Sequence, residues 1–201
     1  MTPSEEGRVG GPDAEHPPGE GSGWRHLDTR LLHQGDFLTL CQDRVVRPDG
    51  AAGTYDHVVT ADAARVVALD GDGRIALVED GFYLLGRRVL HLPGGGIEAG
   101  EPPEEAARRE CAEEIGRRPG HVQLLTVLHP LPGSTAAATH VFLATGLTPD
   151  RRAARDATEA AMTVHWTPVE EAVQAAVSGR ITEAGSVVGL LLAARLLPGA
   201  P

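Results

Sequence analysis

Residues 94–116 read GGGIEAGEPPEEAARRECAEEIG and set seven glutamates within 23 positions. Pro102 and Pro103 suit the first turn of a helix, where a missing N–H leaves no bond unmade. Gly116, with Pro119 behind it, suits the end of that helix. Glu110, Glu113 and Glu114 then fall at i, i+3 and i+4, where like charges repel by roughly a few tenths of a kcal/mol per pair. Ala107 and Cys111, four apart, supply an apolar stripe, and the spacing predicts the three carboxylates on the opposite side. Upstream, LPGGGIEAGE (92–101) carries glycines that permit tight turns and a close approach of backbone to a ligand. A glycine-rich loop leading into a carboxylate-bearing helix offers hard oxygen ligands for Mg²⁺ or Mn²⁺, ions that bridge to phosphate oxygens. For the glutamates alone, a solvated acidic helix face is the plain alternative.

The spacing shifts that balance. Gly95, five residues, Glu101, seven residues, Arg109-Glu110, Cys111, Ala112, Glu113-Glu114, Ile115, Gly116 matches the pattern GX5EX7REUXEEXGU at all seven fixed positions. A chance match in a chain of this composition is on the order of one in 10⁵. The stretch therefore resembles the Nudix box, with Cys111 in place of the common leucine and Arg117 in place of a hydrophobic residue after the closing glycine. The resemblance implies that Glu110 and Glu114 are the principal metal ligands and Glu113 a ligand or water-orienting base. It implies that the carbonyl of Gly94 completes the coordination and that Arg109 pairs with Glu101 to fix the loop against the helix. Divalent cations between the carboxylates would relieve their repulsion, hold a diphosphate and activate a bound water.

The rest of the chain is consistent with such a substrate. A length of 201 residues suffices for one well-filled core, and 41% hydrophobic residues mark a globular protein. A net charge of −10 argues against a nucleic-acid backbone or an anionic membrane as partner, so a diphosphate would need locally placed cations. All 18 basic residues are arginine. Cys41 and Cys111 make no metal motif. The opening MTPSEEGRVG lacks the basic and apolar regions of a signal peptide, and the apolar run 187–197 is too short to span a bilayer. These features lead to the expectation of a soluble cytoplasmic protein.

Residues 1–23, rich in Gly, Pro and Glu, read as a disordered tail, and residues 24–56 as an N-terminal β-element with a Pro-Asp-Gly turn at 48–50. ARVVALD, GDG and RIALVED (64–80) read as a hairpin. Further strands are expected near 122–128, 140–144 and 162–166, and helices near 168–179 and 183–197. Strands mixed with three helices, without strict alternation, indicate an α/β fold with a mixed sheet. The family resemblance makes it an α/β/α sandwich over residues 57–199, with the N-terminal β-element appended.

Over roughly residues 40–197 the chain resembles the ADP-ribose pyrophosphatase branch of that family. The resemblance rests on DRVVRPDG (43–50), HPLPGSTAAATHVFLATGL (129–147) and GRITEAGSVVGLLLAARLL (179–197). It implies that Pro132 and Gly133 lie beside the substrate, and that Glu159, the only glutamate of DATEAAMTVHWTP, is a base carried on a loop. Glu113 and Glu159 thus both stand as the base. The implied reaction converts ADP-ribose into AMP and ribose 5-phosphate, and the implied assembly is a homodimer built by the N-terminal element. Three positions depart from the branch: Asp80-Gly81-Phe82 replaces a Gln-Tyr-Arg-like run, His91 replaces a Glu, and Ala136–Ala138 replace an acidic loop. Another nucleoside diphosphate sugar or a nucleoside triphosphate is the alternative substrate, and a non-catalytic ligand sensor the alternative class. Tyr55, Phe82 and Tyr83 are candidates to stack on a base, or core residues.

Overall fold

The structure, a computed structural model, describes residues 20–150 and 161–196. Of the expected tail, only the single 3₁₀ turn Glu20–Ser22 and Gly23 fall among them. The described chain divides into two units: residues up to Thr60 with Gly133–Ala136, and Ala61–Pro132 with the remainder.

The first unit is an antiparallel meander of β1 (Arg25–Gln34), β2 (Thr39–Val46) and β3 (Ala52–Val59). Gly50, at φ +82°, turns β2 into β3, and its N–H donates to Arg47 O at 2.8 Å, so the Pro-Asp-Gly signal is a real turn. Cys41 and Val45 are buried on β2, whereas β1 leaves Leu31 and Leu32 exposed. The segment Gly133–Ala136 is bonded to β3, with Val58 N–H donating to Ser134 O and the Tyr55 hydroxyl to Gly133 O.

The second unit holds the core. Its strands are β4 (Ala63–Ala68), β5 (Arg74–Phe82), β6 (Arg87–His91), β7 (Arg117–Arg118), β8 (His121–Leu128), β9 (Thr139–Thr145), β10 (Thr148–Pro149) and β11 (Thr163–Pro168). Its helices are α1 (Pro103–Ile115), α2 (Val169–Val177) and α3 (Ala184–Leu196). β4 runs parallel to β9, which pairs antiparallel with β8, and a second sheet has the order β11-β5-β6. Alternation along β4 and β5 sorts the layers. Ala64, Val66, Ala76 and Val78 pack with Ala106, Ala107 and Cys111 of α1. Val67, Ile75 and Leu77 pack with Ala172 and Ala175 of α2 and Leu190 and Ala193 of α3. Period-two side chains facing helices on both sides make the α/β/α sandwich that the sequence reading expects. No described helix is long and apolar enough to cross a membrane.

One expectation is corrected. β4 and β5 do not form a hairpin ladder: their antiparallel pairing stops at the turn, with the bridge Leu69↔Ile75 and Asp70 N–H donating to Arg74 O at 2.9 Å. The edge of β4 that β5 would occupy is taken by the glycine loop: Val66 N–H donates to Pro93 O and Ala64 N–H to Gly95 O, each at 2.9 Å. β5 pairs instead with β6 and β11. The strand that looked like half of a hairpin is therefore the rail on which the glycine loop rests.

Candidate active site

Helix α1 begins and ends as its residues dictate. Pro102 stands at the N-cap in an extended conformation, and Gly116 closes the helix at φ 62°, its N–H donating to Ala112 O. Arg117 leaves the helix for β7 and lays its guanidinium 5.8 Å from the centre of the Trp166 ring. A cation over an aromatic face thus takes the place of the usual hydrophobic residue there.

The carboxylates lie on a different face from the one expected. Seven residues make two helical turns less about 20°, so Glu114 stands almost directly over Ala107, and Glu110 lies one flank away. Glu110 and Glu114 are accordingly buried, each 4% exposed, on the same face as Ala106, Ala107 and Cys111. Only Glu113 is on the open flank, its side chain 34% exposed. Burial together with the nearby Glu114 and Glu110 pushes the Cys111 thiol up to about 12, so it remains a protonated, inert hydrophobe.

What faces the two buried carboxylates is backbone. Gly94 adopts φ +143°, a conformation open to glycine, and a side chain there would collide with the carbonyl of Ala64. Its N–H donates to Glu114 Oε2 at 2.7 Å. A Cβ on Gly95 would lie 2.6 Å from Glu110 Oε1. The consecutive glycines therefore let the loop run against the glutamate face without an intervening side chain.

Arg109 ties the loop to the helix. Its Nε and Nη2 donate to the two oxygens of Glu101, both at 3.0 Å, and Nη2 also donates to Gly96 O at 2.9 Å. Nη1 reaches Glu110 Oε1 at 2.7 Å and Glu113 Oε2 at 3.1 Å. The hydrogen bonds from Arg109 hold the Glu101 carboxyl below its usual range, outweighing the burial that opposes them. Glu101, ahead of Glu110 and Glu113, raises the Arg109 guanidinium above its already high value.

Among the described residues no three His, Cys, Asp or Glu side chains form a ready metal cage. In this arrangement the positive charge between Glu110 and Glu113 is Nη1 of Arg109. The donor set nonetheless fits a hard divalent ion. It is all oxygen, two of its three carboxylates are buried, and a cation already sits between two of them. Beside it opens a cleft of about 490 Å³ whose lining includes Glu101, Arg109 and Glu113 together with Arg108, Arg118 and Asp150.

Gly133 is held through its carbonyl by Tyr55, and the neighbouring Pro132 is exposed. Glu159 lies outside the described residues. Of the stacking candidates, Tyr55 packs edge-on to Trp24, Phe82 packs edge-on to His91, and Tyr83 is 95% exposed. Sequence reasoning did not identify the support behind the glycine loop. Ser186, fully buried on α3, accepts the Leu92 N–H at 2.8 Å and donates to Glu183 Oε2 at 2.6 Å. The signal available was a lone hydroxyl in the apolar run AGSVVGLLLAA.

The NUDIX domain family matches residues 59–184, and the nucleoside diphosphate sugar hydrolase N-terminal domain matches residues 24–58. An ADP-ribose pyrophosphatase of Mycobacterium tuberculosis is 35% identical over 166 residues, 82% of this chain and 80% of the relative. A CMP-5'-(N-acetyl-N-hydroxy-3-aminopropyl)phosphonate hydrolase of Streptomyces rubellomurinus is 30% identical, covering 84% of this chain and 81% of the relative. A crystal structure of an ADP compounds hydrolase superposes with a TM-score of 0.77 at 20% identity, over 88% of this chain and 95% of that one, a likeness of fold.

Proposed function

The chain belongs to the Nudix hydrolase family, and on that premise we propose that it hydrolyses ADP-ribose to AMP and ribose 5-phosphate with a bound divalent metal, Mg²⁺ or Mn²⁺. The observation that carries the reading is the pair Glu110 and Glu114, sunk to 4% exposure against a loop where Gly94 leaves no room for a side chain and a Cβ on Gly95 would press on Glu110. Two carboxylates side by side on a buried face repel each other, and a divalent cation held by both relieves that repulsion. When bound, the metal would neutralise diphosphate charge and lower the pKa of a water. Glu110 and Glu114 would hold it, with Glu113 and the Gly94 carbonyl as further oxygen ligands. Arg109, anchored bidentately on Glu101, keeps the loop and the helix in register, a supporting role of the kind that orients ligands. Glu113, on the open flank and lining the cleft, and Glu159 are the two residues proposed to take the proton of the attacking water. Pro132 and Gly133 are proposed to flank the substrate.

A second reading has its own support. The phosphonate hydrolase relative is a cytidine-compound hydrolase by name, and this chain departs from the pyrophosphatase branch at His91 and Ala136–Ala138. Another nucleoside diphosphate sugar or a nucleoside triphosphate is then the substrate. One panel separates the two: purified protein with Mg²⁺ and ADP-ribose, ADP-glucose, GDP-mannose, NADH and dGTP, products resolved by chromatography. AMP from ADP-ribose supports the first reading; turnover of another compound alone replaces it with the second; no turnover of any overturns both.

For assembly we infer a homodimer built by residues 24–56. The support is apolar surface on the first unit: Leu31, Leu32 and Leu38 are exposed and Phe37 is 89% exposed. Light scattering on the eluting protein tests it, and a monomer mass at micromolar concentration would end it.

A further inference from the structure

The segment Leu92–Gly95 carries the glycines of the proposed metal site, and most of its backbone polar groups have named partners. Val66 N–H donates to Pro93 O and Ala64 N–H to Gly95 O. Gly94 N–H donates to Glu114. The residue where β6 gives way to the loop, Leu92, is clamped at both ends by side chains: His91 Nδ1 donates to its carbonyl at 2.8 Å, and Ser186 Oγ accepts its N–H at 2.8 Å. Both side chains are buried.

The Ser186 hydroxyl is itself fixed. It donates to Glu183 Oε2 at 2.6 Å, and the same carboxylate accepts the N–H of Ser186 at 2.7 Å and, through Oε1, the N–H of Gly185 at 3.1 Å. Arg65 of β4 stands 3.4 Å from Glu183 Oε2. With its proton committed to Glu183, the Ser186 oxygen has its lone pairs directed elsewhere, and Leu92 takes one of them. Helix α3 can sit this close because Gly185 and Gly189 face inward: a Cβ on Gly185 would come within 2.9 Å of Arg65 Cγ, and one on Gly189 within 2.8 Å of Leu92 Cδ1.

We infer that Ser186, fixed by Glu183, is a positioning residue for the metal site: it sets the height of Leu92, and so the placement of Gly94 against Glu114. Two links of chain separate the hydroxyl from a proposed metal ligand. The inference rests on the metal reading above, and a metal-free measurement keeps the two apart. Nothing in the proposed chemistry requires Ser186 to touch substrate.

The test compares Ser186→Ala, Ser186→Thr and Glu183→Gln with Ala175→Gly, which loosens α2 in the same core without touching the loop. Two quantities are read well below the unfolding midpoint of every variant. One is Mn²⁺ affinity, by titration followed by electron paramagnetic resonance. The other is amide hydrogen exchange across Leu90–Gly96 without metal. Ser186→Ala is expected to weaken Mn²⁺ binding about tenfold or more and to speed exchange locally, the size seen when supporting partners of metal ligands are lost. Ser186→Thr should restore both, Glu183→Gln should fall between, and Ala175→Gly should move neither. Equal Mn²⁺ affinity and equal exchange in Ser186→Ala and wild type would overturn the inference, as would the same loss in Ala175→Gly. If Ser186→Ala does not fold, Glu183→Gln decides by the same two readings. A wild type that binds no Mn²⁺ sinks the metal reading, and local exchange then decides whether Ser186 positions the loop.

Discussion

The backbone N–H of Gly94 donates to the carboxylate of Glu114 at 2.7 Å across 20 residues of sequence. This bond joins the two parts of the motif, loop and helix, without a side chain on the loop partner. It also sets what a ligand variant must preserve.

Glu114→Gln keeps an acceptor for Gly94 and removes the charge, so the fold and the ligand role come apart. The expected outcome is an unfolding midpoint close to wild type and Mg²⁺-dependent turnover lower by at least about a hundredfold. Product release and thermal melts on the same preparations check it. Turnover within a few-fold of wild type would remove Glu114 from the site.

Arg109→Lys tests the hub. An ammonium cannot reproduce the fork on Glu101 while also reaching Gly96 O, Glu110 and Glu113. Losing part of a charged network predicts a stability loss of about 1–3 kcal/mol and an activity loss of about 10–100-fold. Urea denaturation and steady-state rates measure the two. A lysine variant equal to wild type in both would mean that the hub is not needed.

The sequence reading succeeded where the controlling chemistry is local. Pro102, Pro103 and Gly116 set the ends of α1 through their own backbone limits, and the structure ends the helix there. It failed where the outcome depended on distance. The ladder on β4 went to Pro93 and Gly95, some thirty residues on, and no property of 64–80 alone announces that competitor. Glu114 departs from the expected face because an i+4 stripe is narrower than a whole face, and the seven-residue drift carries Glu114 onto Ala107. Ser186 is not legible in the sequence because a hydroxyl in an apolar helix has no meaning until its partner, Leu92, 94 residues away, is known.

Two glycines separate function from packing. A Cβ on Gly95 meets only the end of a flexible side chain, Glu110, at 2.6 Å. Gly95→Ala should therefore change stability by less than about 1 kcal/mol while lowering Mn²⁺ affinity. On Gly189 a Cβ meets Leu92 Cδ1 at 2.8 Å, Val141 Cγ1 at 3.0 Å and Val67 Cγ2 at 3.2 Å. Overpacking costs about 1–3 kcal/mol, against a helix-propensity gain of about 1 kcal/mol for Gly→Ala, so Gly189→Ala should be net destabilising. Denaturant midpoints rank the pair, and the reverse ranking would mean that the α3 notch is loose.

The last prediction concerns acid. Burial holds the His91 imidazole below its ordinary range; its bond to Leu92 O acts the other way, Arg65 on β4 adds to the lowering, and Glu183, just ahead of α3, and Asp80 on β5 oppose it. The folded protein thus binds this proton less readily than the unfolded chain. Well above about pH 6.5 the imidazole is neutral in both states, and the site adds no pH dependence. As pH falls below that value the unfolded chain takes up the proton first, so stability declines until the lower folded pKa is passed, by at most about 1.4 kcal/mol per pH unit. Glu183 is also held low: burial raises it, but Arg65 and the bonds from Ser186 and Gly185 outweigh burial. Its loss begins only in the carboxylate range, so the two windows separate. His91→Asn places an amide N–H where Nδ1 stands, keeps a donor for Leu92 O and cannot titrate. Urea denaturation at about pH 8, 6.5 and 5.5 should show wild type losing more stability than the variant below about pH 6.5. Parallel profiles would mean that His91 is protonated as easily folded as unfolded, and that its burial is relieved by a partner in solution.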